Sequence, residues 1–248
     1  MKQQWEGWRK TGAQLFLRTN HLLDGYCMPY IFAHQFADDF QHAVRNGMVA
    51  TDLDSLTGQW STQGPNLYLA SRLHVRPEAA PDDLLAEYYS GFGTAAADVK
   101  AYFDYWETYT TTHRDQITQA MEETQASRWR TWAKAAHLVY PPSCFAPAEA
   151  LLAAATKAAG GNREAAARVD FLRAGLTHAE LCARVAAQLT LAAPIASKEE
   201  AKAMLDELIN FRRAHEVTGM SNFNHLAWVE DLSWKLSDET RKAPDLYP

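Results

Sequence analysis

The sequence predicts a mainly α-helical chain with one short pair of parallel strands near its amino end, and three observations carry that prediction. Phe32, Phe36 and Phe40 recur at i, i+4 and i+8 in "FAHQFADDFQHAVRNG", an apolar stripe of helical period, and Gly47 stands just past its end as a stop. Two runs of strand character, "AQLFLRTN" (13–20) and "MVATDLD" (48–54), flank that helix, and a strand, crossover helix and strand of this length make a βαβ unit with parallel strands. Beyond residue 63 the pattern is helical almost to the end, with no third convincing strand.

The elements follow in order. "EGWRKTG" reads as the end of a helix with Gly12 as its stop, then comes the first strand, then "HLLDGYCMPY" as a loop. After the crossover helix and second strand, helices are expected at about 65–75, 81–91, 94–125, 127–138, 147–159, 163–190, 198–216 and 222–236. Pro65, Pro77, Pro81, Pro141, Pro142, Pro147 and Pro194 fall between or at the starts of these segments, and Gly160 and Gly161 separate two Ala-rich helices. The run "YFDYWETY" places Tyr102, Tyr105, Trp106 and Tyr109 at three- and four-residue spacing, which reads as a core stripe.

Composition narrows the function classes. At 248 residues and 47% hydrophobic the chain can build a substantial core. A formal charge of -6, with no long Lys/Arg run, argues against a nucleic-acid partner. Cys27, Cys144 and Cys182 are odd in number and far apart, so neither a disulfide framework nor a paired-thiolate zinc site is expected. The start lacks a signal-peptide apolar run, and no stretch of about eighteen apolar residues exists, so no membrane partner is expected. No phosphate loop, Gly-x-Ser-x-Gly elbow or dinucleotide fingerprint appears, and no cofactor is expected.

Candidate site residues cluster around the strands. Alternation puts Phe16, Arg18 and Asn20 on one face of the first strand, opposite Leu15, Leu17 and Thr19. In the second it puts Met48, Ala50, Asp52 and Asp54 opposite Val49, Thr51 and Leu53. In a closed barrel the polar set Arg18, Asn20, Asp52 and Asp54 would point inward at the carboxyl ends of the strands, where such barrels place their sites. Asp54 either meets a ligand or opens a loop, and Asp52 either joins it or pairs with Arg18. Trp60, between Gly58 and Gly64, either stacks on a sugar ring or plugs the loop, and His21 and Tyr26 could line the same opening or simply pack in theirs. His34, Asp38 and His42 share one helix face but span about 12 Å, too far for one ion, and read as a solvated face.

The run "WEGWRKTGAQLFLRTNHLLDGYCMPY", followed by residues 46–107, resembles the bacterial family called domain of unknown function 4838. The resemblance rests on the order of Trp5 or Trp8, Pro29, Gly47, "YLASRL", Pro77, "DDLLAEYY" and "GFGTAAADV". It implies that residues 1–62 are the last βα units of a (β/α)8 barrel and that 63–248 form an α-helical domain. It further implies a carbohydrate-active, glycoside-hydrolase-like parent, secreted or periplasmic, whose amino-terminal barrel half is this chain's partner. Carbohydrate is the expected ligand, with Arg18, Asn20, Tyr26, Asp52, Asp54 and Trp60 as substrate-binding residues. The catalytic acids of related hydrolases follow an earlier strand, so this chain alone is expected to be inactive. The alternative is a non-catalytic α-helical interaction module.

Overall fold

The computed structural model describes residues 1–54, 56–190 and 197–234, without the side chains of His21 and Lys198, so Pro194 lies outside the described residues. Helix α1 (Lys2–Arg9) leads through Gly12, at φ +82°, into strand β1 (Leu15–Leu17). Helix α2 (Ala33–Arg45) follows and ends at Gly47, whose φ of +81° is the left-handed stop that the sequence pattern predicts. Strand β2 (Met48–Thr51) then pairs parallel with β1, so the βαβ order holds. The rest of the described chain is helical: α3 (Trp60–Val75), α4 (Pro81–Ser90), α5 (Ala96–Thr112), α6 (Arg114–Glu123), α7 (Ala136–Val139), α8 (Phe145–Ala159), α9 (Arg163–Thr190), α10 (Lys198–His215) and α11 (Phe223–Trp234).

Phe36 and Phe40 of the crossover helix are buried, and α2 lies against α3 and β2. Trp5 reaches over from α1, its indole N–H donating to the Asn46 carbonyl at 3.0 Å. Helix α8 is sandwiched between α5 and α9, and α9 also touches α3 and α10. In α5, Tyr102, Phe103 and Trp106 are fully buried, while Tyr105 and Tyr109 donate to the carbonyls of Cys144 and Val139. The aromatic stripe is core, joining α5 to the 132–145 segment. One contiguous hydrophobic cluster runs from Trp5 to Val229.

Helix α9 carries a glycine in its interior, normally unfavourable by about 1 kcal/mol. Here it allows close approach: a Cβ on Gly175 would lie 2.5 Å from Ser61 Oγ and 3.2 Å from the Ser61 carbonyl carbon. Ser61 is in turn tied to the Met220 carbonyl through both its N–H and its hydroxyl.

The structure departs from the sequence pattern at four places. The expected 65–75 helix begins earlier, at Trp60, so Trp60 and Gly64 are helical rather than in a loop and Pro65 lies inside α3, just after a kink at Gln63 (φ −124°, ψ 19°). The expected 94–125 helix breaks at His113, which leaves helical geometry (φ −102°, ψ 19°) after the β-branched run Thr110, Thr111 and Thr112. The expected 127–138 helix is a turn, a 3-10 segment and the single turn α7, because Thr131 Oγ1 accepts from the Ser127 N–H and offers the backbone a local alternative. Strict alternation also fails in β2. Leu15 pairs with Met48 but Phe16 pairs with Ala50, leaving Val49 as an extra, bulged residue. Met48 therefore packs on the core with Leu53, and Val49 turns to the outer face, 53% exposed.

Candidate functional site at the carboxyl end of the strands

Beyond the bulge the two strands are in phase, and the Asp52 N–H continues the ladder to the Leu17 carbonyl at 3.1 Å. Thr51 faces the helices, its hydroxyl 2.8 Å from His74 Nε2, so Asp52 and Asp54 face away from them beside Arg18. Arg18 Nη1 donates to Asp52 at 2.7 Å and Nη2 contacts Asp54 at 3.1 Å. All three side chains are about half exposed. The hydrogen bond to Asp52, with the two carboxylate charges, holds the guanidinium above its usual range. The polar faces thus meet as the sequence pattern expects, and they meet as an ion-paired triad open to solvent.

Asn20 is exposed and lines a recess of about 500 Å³ with Asp24, Ser127, Arg128 and Trp129. Arg128 Nη1 donates to Asp24 at 3.1 Å and to the Tyr30 hydroxyl at 3.3 Å. The same Asp24–Arg128 pair also borders a larger groove, about 1120 Å³, that runs along α2 and α5 past His34 and Glu107. Burial pushes the Asp24 carboxyl up, against the opposing pull of Arg128. Trp129 is 43% exposed, with Arg130 stacked over its ring at 4.3 Å. Asp24, Arg128 and Trp129 were not singled out by the sequence pattern. Only the position of Asp24, in the loop after β1, hinted at it.

Trp60 is 48% exposed, but it lines a different recess, of about 780 Å³, with Leu56, Tyr68, Tyr88, Phe92 and Phe171. Its neighbours in sequence are buried: Gln59, Ser61, Thr62, Gln63 and Asn66 are each no more than 1% exposed. They are a polar hub for the loop after β1. Gln63 Nε2 donates to the carbonyls of Asp24 and Met28, while Asn66 donates to Tyr30 and accepts from the Phe32 N–H. Gly25, at φ +91°, is required beneath this clamp, since a Cβ there would lie 2.7 Å from Gln63 Nε2.

Tyr26 is not at the opening. Its φ of +54° turns the ring inward, it is 3% exposed, and its hydroxyl donates to Glu230. The side chain of His21 lies outside the described residues. On α2, His34 contacts Glu107 and Asp82, Asp38 pairs with Lys2, and His42 Nε2 lies 3.7 Å from Glu6. These are separate surface pairings rather than one ligand set.

Tyr26 leads into a second polar cluster that no spacing in the sequence foretold. Arg212 donates to both Glu230 oxygens, at 2.8 and 2.5 Å, while its Nε donates to His178 Nε2 at 3.0 Å and its Nη2 to Cys182 Sγ at 3.3 Å. Cys27 completes it: the Sγ atoms of Cys27 and Cys182 and a His178 ring nitrogen all lie within 4.8 Å of one another. Two thiols and an imidazole are a soft metal-ligand set, but here they do not fit a metal. The Arg212 fork occupies the lone pairs of His178 Nε2 and Cys182 Sγ that would bind the ion, its fixed charge repels a cation, and the set falls short of the four ligands of structural zinc.

Comparison of the chain with protein-family models, with curated proteins and with solved structures finds no match.

Proposed function

We propose that the chain is the carboxyl-terminal portion of a carbohydrate-active, glycoside-hydrolase-like protein of the domain of unknown function 4838 type, contributing part of a sugar site and a helical buttress. The observation that carries this reading is the exposed face of the strand pair, which no other element covers among the described residues. Parallel sheets are normally covered on both faces and belong to larger sheets. Here one face packs on α2 and α3, whereas the other presents Phe16 at 58% and Val49 at 53% exposure around the Arg18, Asp52 and Asp54 triad. Further strands from an amino-terminal barrel half would cover that face and turn the triad into a barrel interior, at the end where such folds bind substrate. Asp52 and Asp54 would accept hydrogen bonds from sugar hydroxyls, Arg18 would hold both carboxylates in place, and Asn20 and Trp129 would extend the subsite.

The test is a reducing-sugar screen of the parent protein against uronic-acid and hexosamine polysaccharides, comparing wild type with Asp54→Asn. Release of sugar that falls with the substitution supports the reading, and the chain alone should release none. Absence of both turnover and binding across the panel would sink it. The runner-up, a helical interaction module, draws on the apolar recess around Trp60 and Phe171, and would gain if Trp60→Ala abolished a protein contact while leaving sugar binding intact.

A further inference from the structure

Within the buried cluster, Cys27 and Cys182 stand 155 positions apart in sequence (182 minus 27), yet their sulfurs are no more than 4.8 Å apart. Both side chains are completely buried. The two sulfurs differ in surroundings. Cys182 receives the Arg212 Nη2 donor at 3.3 Å and lies 3.4 Å from His178 Nε2. Cys27 sits on the loop that Gln63 clamps through the Asp24 and Met28 carbonyls, so its position is held from both sides in sequence. Arg212 is itself fixed by the two Glu230 oxygens, and Glu230 by the Tyr26 hydroxyl.

We propose that Cys27 and Cys182 are an oxidation site, a thiol pair that hydrogen peroxide converts to an intramolecular disulfide, with Cys182 as the attacking sulfur and Cys27 as the resolving one. The assignment of roles follows from the neighbours. Burial alone would raise the Cys182 thiol, but the hydrogen bond from Cys27, with His178 and Arg212 alongside, outweighs it and holds Cys182 well below the ordinary thiol range. Burial and the adjacent Cys182 hold Cys27 well above that range, so it keeps its proton. Cys144, remote from this cation, is pushed up to about 12 by burial and serves as the internal control.

The chemistry balances with species no larger than peroxide and water. The Cys182 thiolate attacks one peroxide oxygen, an S–O bond forms, the O–O bond breaks, and the departing hydroxide is protonated to water. The Cys27 sulfur then gives up its proton and attacks the Cys182 sulfur. The S–O bond breaks, and the oxygen leaves as a second water. Two thiols and one peroxide become one disulfide and two waters, the thiols being oxidised and the peroxide reduced. Because both sulfurs are fully buried, the reaction proceeds through local opening of the core, which admits an oxidant close to water in size more readily than a bulky disulfide such as oxidised glutathione.

The experiment uses the full chain, reduced, treated with hydrogen peroxide, denatured in alkylating agent, digested and read by mass spectrometry. The expected result is a linked peptide pair joining Cys27 to Cys182, with Cys144 alkylated, and its reversal by dithiothreitol. Cys27→Ser should remove the link and leave a sulfenic acid on Cys182 that dimedone traps. Full alkylation of both Cys27 and Cys182 after peroxide overturns the proposal, as does a link through Cys144. If dimedone instead labels Cys27 in Cys182→Ser as readily as Cys182 in Cys27→Ser, the assignment of roles is overturned. The wild-type peptide map decides the pairing even where a serine variant does not fold.

Discussion

Arg18 and Arg212 each hold two anionic or sulfur acceptors in a fork, yet one does so in water and the other in a dry core. The Arg18 triad is half exposed, and water competes for every one of its contacts. Arg212 and Glu230 are 2% and 4% exposed, and no solvent replaces a lost partner there. The same pairing chemistry therefore means opposite things. At the surface it adds little to stability and can be exchanged for ligand hydroxyls, whereas in the core it is committed, since an orphaned charge there is expensive. A binding site is expected where polar groups are replaceable, and a structural hub where they are not.

The largest break in this comparison comes from Arg212→Met, which leaves Glu230 buried without its cation. Equilibrium urea unfolding should register a loss of about 3–5 kcal/mol, and the double substitution with Glu230→Leu should recover part of it. A loss below about 1 kcal/mol would mean that water reaches the pair and that the two regions do not differ. Next in size is Asn66→Ala. It removes the donor to the Tyr30 carbonyl and the acceptor of the Phe32 N–H and should cost about 1–3 kcal/mol, with the damage appearing as faster amide exchange in residues 24–32.

Asp54→Asn should leave the melting temperature essentially unchanged, with its effect confined to carbohydrate binding by the parent protein. A clear fall in melting temperature would place Asp54 with the structural class. The smallest effect concerns His34, which the hydrogen bond to Glu107, with Asp82 beside it, raises to about 9 from 6.5. A pKa raised by folding contributes stability that is fully present below about 6.5 and is lost as pH rises through about 9. Because His34 is half exposed, the slope across that window should be shallow, and Glu107→Gln should flatten it further. Unfolding measured on either side of the window checks both statements.

Much of this contrast was out of reach of sequence pattern. The crossover stripe at Phe32, Phe36 and Phe40 and the Gly47 stop are local, so period and punctuation reveal α2 and the parallel pair directly. The convergence of Arg18 on Asp52 and Asp54 was also legible, because alternation survives past the bulge. The bulge at Val49 was not, since nothing in "MVATD" distinguishes a regular strand from one with an extra residue. The polar run around Trp60 reads as an exposed loop by composition. It is buried because the long loop after β1 needs partners for its backbone, which Gln63 and Asn66 supply. The meeting of Tyr26, Cys27, His178, Cys182, Arg212 and Glu230 depends on α9, α10 and α11 folding back on the first loop, and no spacing encodes a contact of that separation.

The close approach at Gly175 constrains the evolutionary history open to this protein. Alanine, the smallest change from glycine, would place its methyl group against Ser61, and Ser61 cannot retreat because Met220 holds it from the other side. The two positions are therefore sterically coupled. A lineage that reaches Gly175→Ala should have passed through Ser61→Gly first, which removes the two nearest obstructing atoms and leaves only the 3.2 Å approach to the carbonyl carbon. This helix crossing thus constrains the order of substitution rather than the identity at either position alone.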